Sequence, residues 1–587
     1  MQKLILTILL VLGCLIANAQ WNSNPEENNL ITLEGVEIYD FEIGMSNNGN
    51  AFICYNSPMG GNIATFFQIV GKHGYSVFPD GGKIISNKET LLMTLAGNLM
   101  LVDNFGNAII AVTDCRNSNL GSQDLSYSLY KVSPTGEMLW GEDGIDISEG
   151  MAFGLVALMS MVQIEDGSYI CAWIIVDDSN QSFIKMQRIS LTGELLWSEE
   201  NFPDFGTVTT NYPYLVNAGN NQVILMYVIG AGNYLMARKI DFDGSSVWAE
   251  DLRIYSGGFT IPPLWIILKI IPDQMGGAFV GWYDDRNWEN KESTYVAHVT
   301  SNGQLGFASG EGGERVGYND FLRGFAPEMY FDMENSVLYV AWRETSQGQG
   351  WQQMTAQKIS IPSGELLWDP EGIEIAPLDE YSISFYSIQG DGAGNVAVFF
   401  SSCAWDPVYF YGWDINKVLL LDSNGEYIWE DEIIEFSNIP GGKGNMLTTP
   451  IVSNNYWLAI WGDNRKLDND LNGRKKLYMQ RININGTLGD DENSIETNNF
   501  GEVSFSIFPS VVNGYAEFHV NVEKSCKAEI NLYSILGQKI ETIFAGHLHD
   551  STNNIAWNSQ KSKLLQGVYL VTLTTDTEIK TLRLIVK

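Results

Sequence analysis

Apolar and polar positions alternate along this chain in short runs, and the runs recur in groups of four. From Pro327 to Ala376 there is a first short run, then the strongly apolar SVLYVAW. A polar loop, the alternating MTAQKISI, a Ser-Gly turn and ELLWDPEGIEI follow. Period-two alternation broken by turn residues predicts four strands. The i, i+3, i+4 spacing of a helix is absent from the whole array.

The fourth run of each group opens with a glycine followed by an aromatic residue. GELLW stands at Gly193–Trp197 and again at Gly364–Trp368. Relatives begin at Gly74 (GYSVF), Gly136 (GEMLW), Gly244 (GSSVW), Gly303 (GQLGF), Gly425 (GEYIW) and Gly486 (GTLG, without its aromatic). Successive marks lie 62, 57, 51, 59, 61, 61 and 61 residues apart. Four antiparallel strands at that period describe the blade of a β-propeller, which cannot bury both faces alone and must stack on its neighbours. The expected fold is therefore all-β, with eight four-stranded blades over residues 28–490. The eighth unit lacks its last strand, and LITLEGVEIYD (Leu30–Asp40) supplies the missing piece, so the N-terminal strand closes the ring and removes its edges. Trp140, Trp197, Trp248, Trp368 and Trp429 are expected to wedge between blades, the glycine before each permitting the turn.

Composition narrows the setting. Of 587 residues 45% are hydrophobic and 18% charged, which suits a core-forming protein. The formal charge of −36 repels phosphate backbones and disfavours nucleic acid as a partner. The opening MQKLILTILLVLGCLIANAQ has a basic start, an apolar run and an A-x-A site, as a signal peptide over residues 1–19 would. VLGC at Val11–Cys14 offers the rival reading of a lipobox acylated at Cys14. No later stretch is apolar for long enough to predict a transmembrane segment. The five remaining cysteines are scattered and odd in number, which gives neither a disulfide framework nor a zinc site.

Residues 491–502 are polar and read as a linker, and residues 503–587 alternate strongly, as in a small Ig-like β-sandwich. In this last segment Phe508-Pro509 precedes a turn, Leu532-Tyr533 is followed by Gly537, and Gly567 leads to Tyr569. These residues resemble the type A C-terminal sorting domain of the type IX secretion system of Bacteroidetes. The usual aromatic-Pro-Asn-Pro opening appears here as Phe508-Pro509-Ser510-Val511. The resemblance implies an interaction with the secretion machinery and passage across the outer membrane. Removal of the domain would then release the protein or attach it to the surface. The blade units resemble two groups: GEMLW and GELLW match the tryptophan-docking motif of quinoprotein-type propellers. GWYDDRN…GQLGF and IWGDNRK…GTLG match the repeats of secreted bacterial propellers of no assigned activity.

Candidate chemistry is sparse. Asp468, Asp470 and Asn472, with Gly473, follow the opening of a calcium loop, whose rival reading is a solvated acidic loop. Asp114/Arg116, Asp284/Arg286 and Asp463/Arg465 recur after the second strand and are read as loop-fixing ion pairs. Trp288, Trp351, Trp405 and Trp413 fall in or near blade loops and are candidates to stack on a sugar or a protein partner. His73 and His298 have no visible partner, and no catalytic set or certain cofactor emerges. The expected function is a non-enzymatic surface or secreted binding module for glycan or protein. The alternative is a carbohydrate-active hydrolase or lyase working in an end-face pocket.

Overall fold

The computed structural model describes residues 21–490 and 504–586, except 34–35, 47–48, 90–98, 117–125, 148–158, 177–178, 180, 199–202, 206–207, 231–233, 258–267, 287–291, 380, 407–410, 454, 466–474, 509–510, 513–514, 523–524, 535–538, 550–551, 559–563, 565–566 and 576–578. The chain divides into two compact units, residues 1–491 and 492–587. Among the described residues all regular structure is β, and all but one of the strand pairings are antiparallel.

In the larger unit the sheets follow one another along the chain, each a short meander. Sheet 4 is typical, with strands Thr210–Asn217, Val223–Ile229, Tyr234–Ile240 and Leu252–Tyr255. Among the described residues eight such sheets occur, the third with three strands. The last is completed from the other end of the chain: Asn29 and Leu30 pair with Met479 and Tyr478, and Ile31 continues the ladder to Leu477. The first strand of every sheet lies against the first strand of the next, and that of sheet 8 (Lys443–Thr448) lies against that of sheet 1 (Phe41–Met45). The neighbour relation closes on itself.

Strand alternation explains why no sheet stands alone. In sheet 2, Ile110, Val112 and Tyr130 face back and pack with Phe52, Cys54 and Phe67 of sheet 1. Ile109, Ala111 and Leu129, one residue out of phase, face forward and pack with Tyr169, Cys171 and Trp173 of sheet 3. The core of this unit is thus a series of clusters, each shared between two consecutive sheets. The cluster between sheets 8 and 1 combines Leu458 and Ile460 with Ala51, Ile53 and Tyr55, and it also takes in Trp21, Ile31 and Ile38.

At seven of the boundaries the aromatic residue of one unit lies on the glycine of the next. A β-carbon on Gly193 would stand 3.1 Å from the Trp140 ring, so a side chain there would displace the indole. The indole N–H then donates to the carbonyl two residues before that glycine. Trp140 donates to Leu191, Trp197 to Phe242, Trp248 to Ser301, Trp368 to Ser423 and Trp429 to Ile484, over 2.8–3.3 Å. Lys131, Arg188, Lys239 and Lys358 each donate to the same carbonyl as the tryptophan of their unit. Phe78 and Phe307 hold the aromatic place against Gly136 and Gly364 and have no N–H to offer.

The aromatic missing from the eighth unit is Trp21. Its indole donates to Lys72 O at 2.7 Å and its ring lies against Gly74, while Gly489 packs against its backbone. Gln480 donates to Asn22 O, the same service Gln187 gives the Trp197 carbonyl in sheet 3. Asp490 bonds to both the amide and the carbonyl of Trp21.

The smaller unit has a three-stranded and a five-stranded sheet around one core that includes Phe518, Ile530, Leu532, Val571 and Leu584.

Trp21 is 2% exposed, so replacing it with alanine should cost about 3–5 kcal/mol, the usual loss for a buried large-to-small change. Denaturant melts of Trp21→Ala against the parent chain check this, and an unchanged midpoint would mean the ring does not depend on this contact.

Candidate functional site

In an antiparallel meander the start of the first strand, the end of the second and the start of the third lie at the same end of the sheet. The glycine turns and indole contacts lie at the opposite end, before the fourth strand. The free end is where the side chains of interest gather.

Besides Lys443, which opens Lys443–Thr448 and is buried beside Asp463, three charged residues occur within the first two positions of their first strands. Glu42 is second in Phe41–Met45, Lys269 first in Lys269–Pro272, and Glu328 first in Glu328–Asp332. They come from sheets 1, 5 and 6, so Glu42 stands on the far side of the ring from the other two. Lys269 Nζ is 2.6 Å from Glu328 Oε1. Burial raises the Glu328 carboxyl above the usual range and Lys269 pulls it down. Glu42 is pushed up to about 8, first by burial and then by Asp40, and Lys269 acts in the opposite direction from across the ring. No hydrogen bond contributes to holding the Glu42 charge. The consequence is a carboxyl that keeps its proton near neutrality.

The Asp-x-Arg pairs are built as supports. Asp114, Asp284 and Asp463 are buried, and each accepts from its arginine. Arg286 also donates to Gly312 O and lies 4.0 and 3.8 Å over the Tyr255 and Tyr295 rings. Arg465 reaches Asn28 Oδ1 at 2.8 Å, which ties the N-terminal segment to sheet 8. With their donors committed in this way, these guanidinium groups fix loops.

Exposed aromatic residues occur at several places, Tyr39, Tyr75, Phe105, Tyr234 and Phe242 among them, and three more lie on the segments leading into and through sheet 6. Trp351 is 46% exposed, Tyr318 46% and Phe321 85%. Their loops are stiffened locally: Ser346 N bonds to Trp351 O, Trp351 N to Ser346 Oγ, and Phe321 N to Asn319 Oδ1. Arg323, paired with Glu292, also reaches Gln347 O at 3.5 Å and so joins the two loops. Of the other tryptophans singled out above, Trp413 is half-buried in Tyr411–Leu421, and Trp405 lies in Val396–Asp406. Trp288 falls outside the described residues, as do Asp468, Asp470 and Asn472. Among the described residues no three His, Cys, Asp or Glu side chains gather as a metal site.

The sequence alone missed Glu42, Lys269 and Glu328, because nothing local marks residues that meet across a ring. It also missed the partner of His298, whose Nε2 is 2.9 Å from Asp273 Oδ2 in the core. At the opposite end a cleft of about 610 Å³ is lined by Asp204, Asp243, Glu250 and Asp251, with Arg238 paired to Asp251.

In the smaller unit the strands carrying the two best-kept motifs are neighbours: Leu532 pairs with Val571 and Tyr533 with Leu570. Leu532 is buried in the core and Tyr569 packs against it. Phe508 ends the strand Ser504–Phe508, and Pro509 and Gly537 lie outside the described residues.

A carboxyl raised from an ordinary 4.5 to about 8 is protonated in the folded state where the unfolded chain is ionised. Its stabilising contribution is full below pH 4.5 and is lost as pH rises to about 8. Glu42→Gln should therefore flatten that part of the stability profile and melt higher than the parent at pH 8. Equal melting at pH 5 and pH 8 in both proteins would contradict the assignment.

Residues 506–587 match the family described as Secretion system C-terminal sorting domain. No curated protein matches the chain. Among solved structures, the chain is similar to a protein of unknown function from Dyadobacter fermentans DSM 18053, at 10% identity and TM-score 0.34, covering 79% of this chain and 98% of that one. It is also similar to a PL25 ulvan lyase, at 9% identity and TM-score 0.38, covering 81% and 98%. A third is prolyl oligopeptidase B from Galerina marginata, at 11% identity and TM-score 0.37, covering 73% of this chain and 56% of that one. At that level the likeness says nothing of ligand or reaction. Among the described residues no helix is long and apolar enough to cross a membrane. The carboxy-terminal unit is a secretion sorting domain, and the protein that carries it is exported, to be secreted or held at the cell surface.

Proposed function

We propose that the larger unit is an eight-bladed β-propeller of residues 28–490, preceded by Trp21, which serves outside the cell as a binding protein for glycan or protein. Eight meander sheets, a closed circuit of first strands and the completion of the last sheet by Asn29–Leu30 support the blade count. The observation that carries the binding reading is the pair of exposed rings Phe321 and Trp351, held by local hydrogen bonds on two loops that Arg323 joins. Aromatic rings presented in this way stack on sugar faces or fill a partner's pockets at little entropic cost.

A second reading has one observation in its favour. Glu42 holds a proton near neutrality, as a general acid does, so a hydrolase or lyase centred on the ring axis is the alternative.

Exposing the exported chain to a glycan array, with and without calcium, separates these readings. Binding without cleavage is expected, with Phe321→Ala and Trp351→Ala each weakening it about tenfold, the loss of one stacking contact, at unchanged melting temperature. Calcium dependence would support a metal in the Asp468–Gly473 loop. Cleavage abolished by Glu42→Gln would replace the binding reading with the enzymatic one. Retained binding in both aromatic variants would remove sheet 6 from the account.

A further inference from the structure

One arginine at the free end of the ring is placed like its fellows but lacks what they hold. In Arg116, Arg238, Arg286 and Arg323 the guanidinium donates from Nη1 to a backbone carbonyl, and its Nε–Nη2 edge closes on a carboxylate of this chain. Arg343 repeats only the first half of this arrangement. Its Nη1 donates to Ile383 O at 2.8 Å, and the Phe325 ring lies 4.8 Å away. Its Nε is buried without an acceptor. Every other described arginine of the larger unit holds a carboxylate. Arg343 holds none among the described residues.

The position is fixed from two sheets. Arg343 is third from the end of Val337–Thr345 and faces sheet 7, on the same side as Tyr339 and Ala341. Its acceptor Ile383 precedes a bulge in Tyr381–Gly390, and the Ser384 hydroxyl in that bulge is also buried without a partner. Gln352 Oε1 takes the Ile383 amide at 2.8 Å, so Ile383 is held on both of its backbone groups. The other charges at this end have their own settings. Lys269 pairs with Glu328, Arg323 with Glu292 and Arg315 with Asp320, and Lys443 is buried beside Asp463. Glu344, the next residue along the strand, points to sheet 5 and accepts from Gln353 and Thr355. Asp379 ends the fourth strand of sheet 6 opposite Gln352, and Glu42 stands on sheet 1.

We propose that Arg343 receives the carboxylate of a uronic-acid sugar on its Nε–Nη2 edge, with Ser384 as a further donor. The inference rests on reading this end of the ring as a binding face for glycan, and it names a contact separate from the Phe321 and Trp351 loops. A carboxylate is the group this chain itself sets on that edge in Arg116, Arg238, Arg286 and Arg323, and its two oxygens match two parallel N–H bonds. Water could accept one of those bonds but could not offset the charge. An acidic peptide would bring several adjacent charges to a chain of net charge −36, whereas a sugar acid brings one charge to each ring.

The test is calorimetric titration of the exported full chain with oligosaccharides carrying glucuronate, galacturonate or mannuronate, each as the free acid and as its methyl ester. The ester keeps the sugar and removes the charge. At least one free acid is expected to bind about tenfold tighter than its ester, the worth of a charge-assisted two-bond contact. Arg343→Gln should abolish that ratio without lowering the melting temperature, since it removes a half-buried charge that has no partner. Arg343→Lys, which keeps the charge but not the planar edge, should recover only part of the ratio. Phe321→Ala and Trp351→Ala should weaken acid and ester alike and leave their ratio as it was, so failure of the aromatic loops and failure of the arginine are separate results. Acid and ester bound equally across the panel, or neither bound, would overturn the proposal, and so would an Arg343→Gln variant that still prefers the acid. A glutamate-rich peptide bound through Arg343 more tightly than any sugar acid would replace the sugar with a protein partner.

Discussion

The contact on which the larger unit depends is an aromatic ring set on the glycine of the next repeat, with its N–H, where it has one, closing on the carbonyl two residues earlier. A single meander sheet has two apolar faces and nothing of its own to cover them. Each face is covered only by the adjoining sheet, so stability is shared out among boundaries, as in other stacked-repeat proteins. A linear stack would still leave two open faces at its ends. Trp21, Asn29 and Leu30 remove both by giving sheet 8 its last strand and sheet 1 its ring contact. The two ends of the described part of the larger unit thus meet in one hydrogen-bonded joint, Trp21 with Asp490.

This division of labour bears on function. One end of the ring is occupied by tight glycine turns and the contacts that join the sheets, so changes there disturb packing. The other end carries the loops between second and third strands and the starts of the first strands. Buried Asp-x-Arg pairs hold that end in place without spending its exposed surface. Ring closure also does what no local sequence can: it brings Glu42 within electrostatic reach of Lys269, more than two hundred residues away.

Much of the fold was legible because its signals are local and repeated. The glycine-to-aromatic spacing gave the unit, and alternation gave its strands. The placement of Trp140, Trp197, Trp248, Trp368 and Trp429 at boundaries followed from their recurrence at one position. Trp21 was not legible, since it replaces a residue missing some 470 positions later and stands apart from any glycine turn of its own. Cations such as Lys131 and Arg188 escaped for another reason: each vary in type from unit to unit, and only the shared carbonyl acceptor reveals their common role. The sorting domain was legible from three motifs in order at the end of the chain. The axial cluster was not, because it is assembled by closure of the ring.

A structure determined by single-particle electron microscopy, viewed along the ring axis at side-chain resolution, should show eight sheets in a closed circle, residues 29 and 30 seated as the outer strand of the last, and the Trp21 indole lying on Gly74. A different number of sheets, an open arc, or an N-terminal segment placed away from Leu477–Met479 would contradict it.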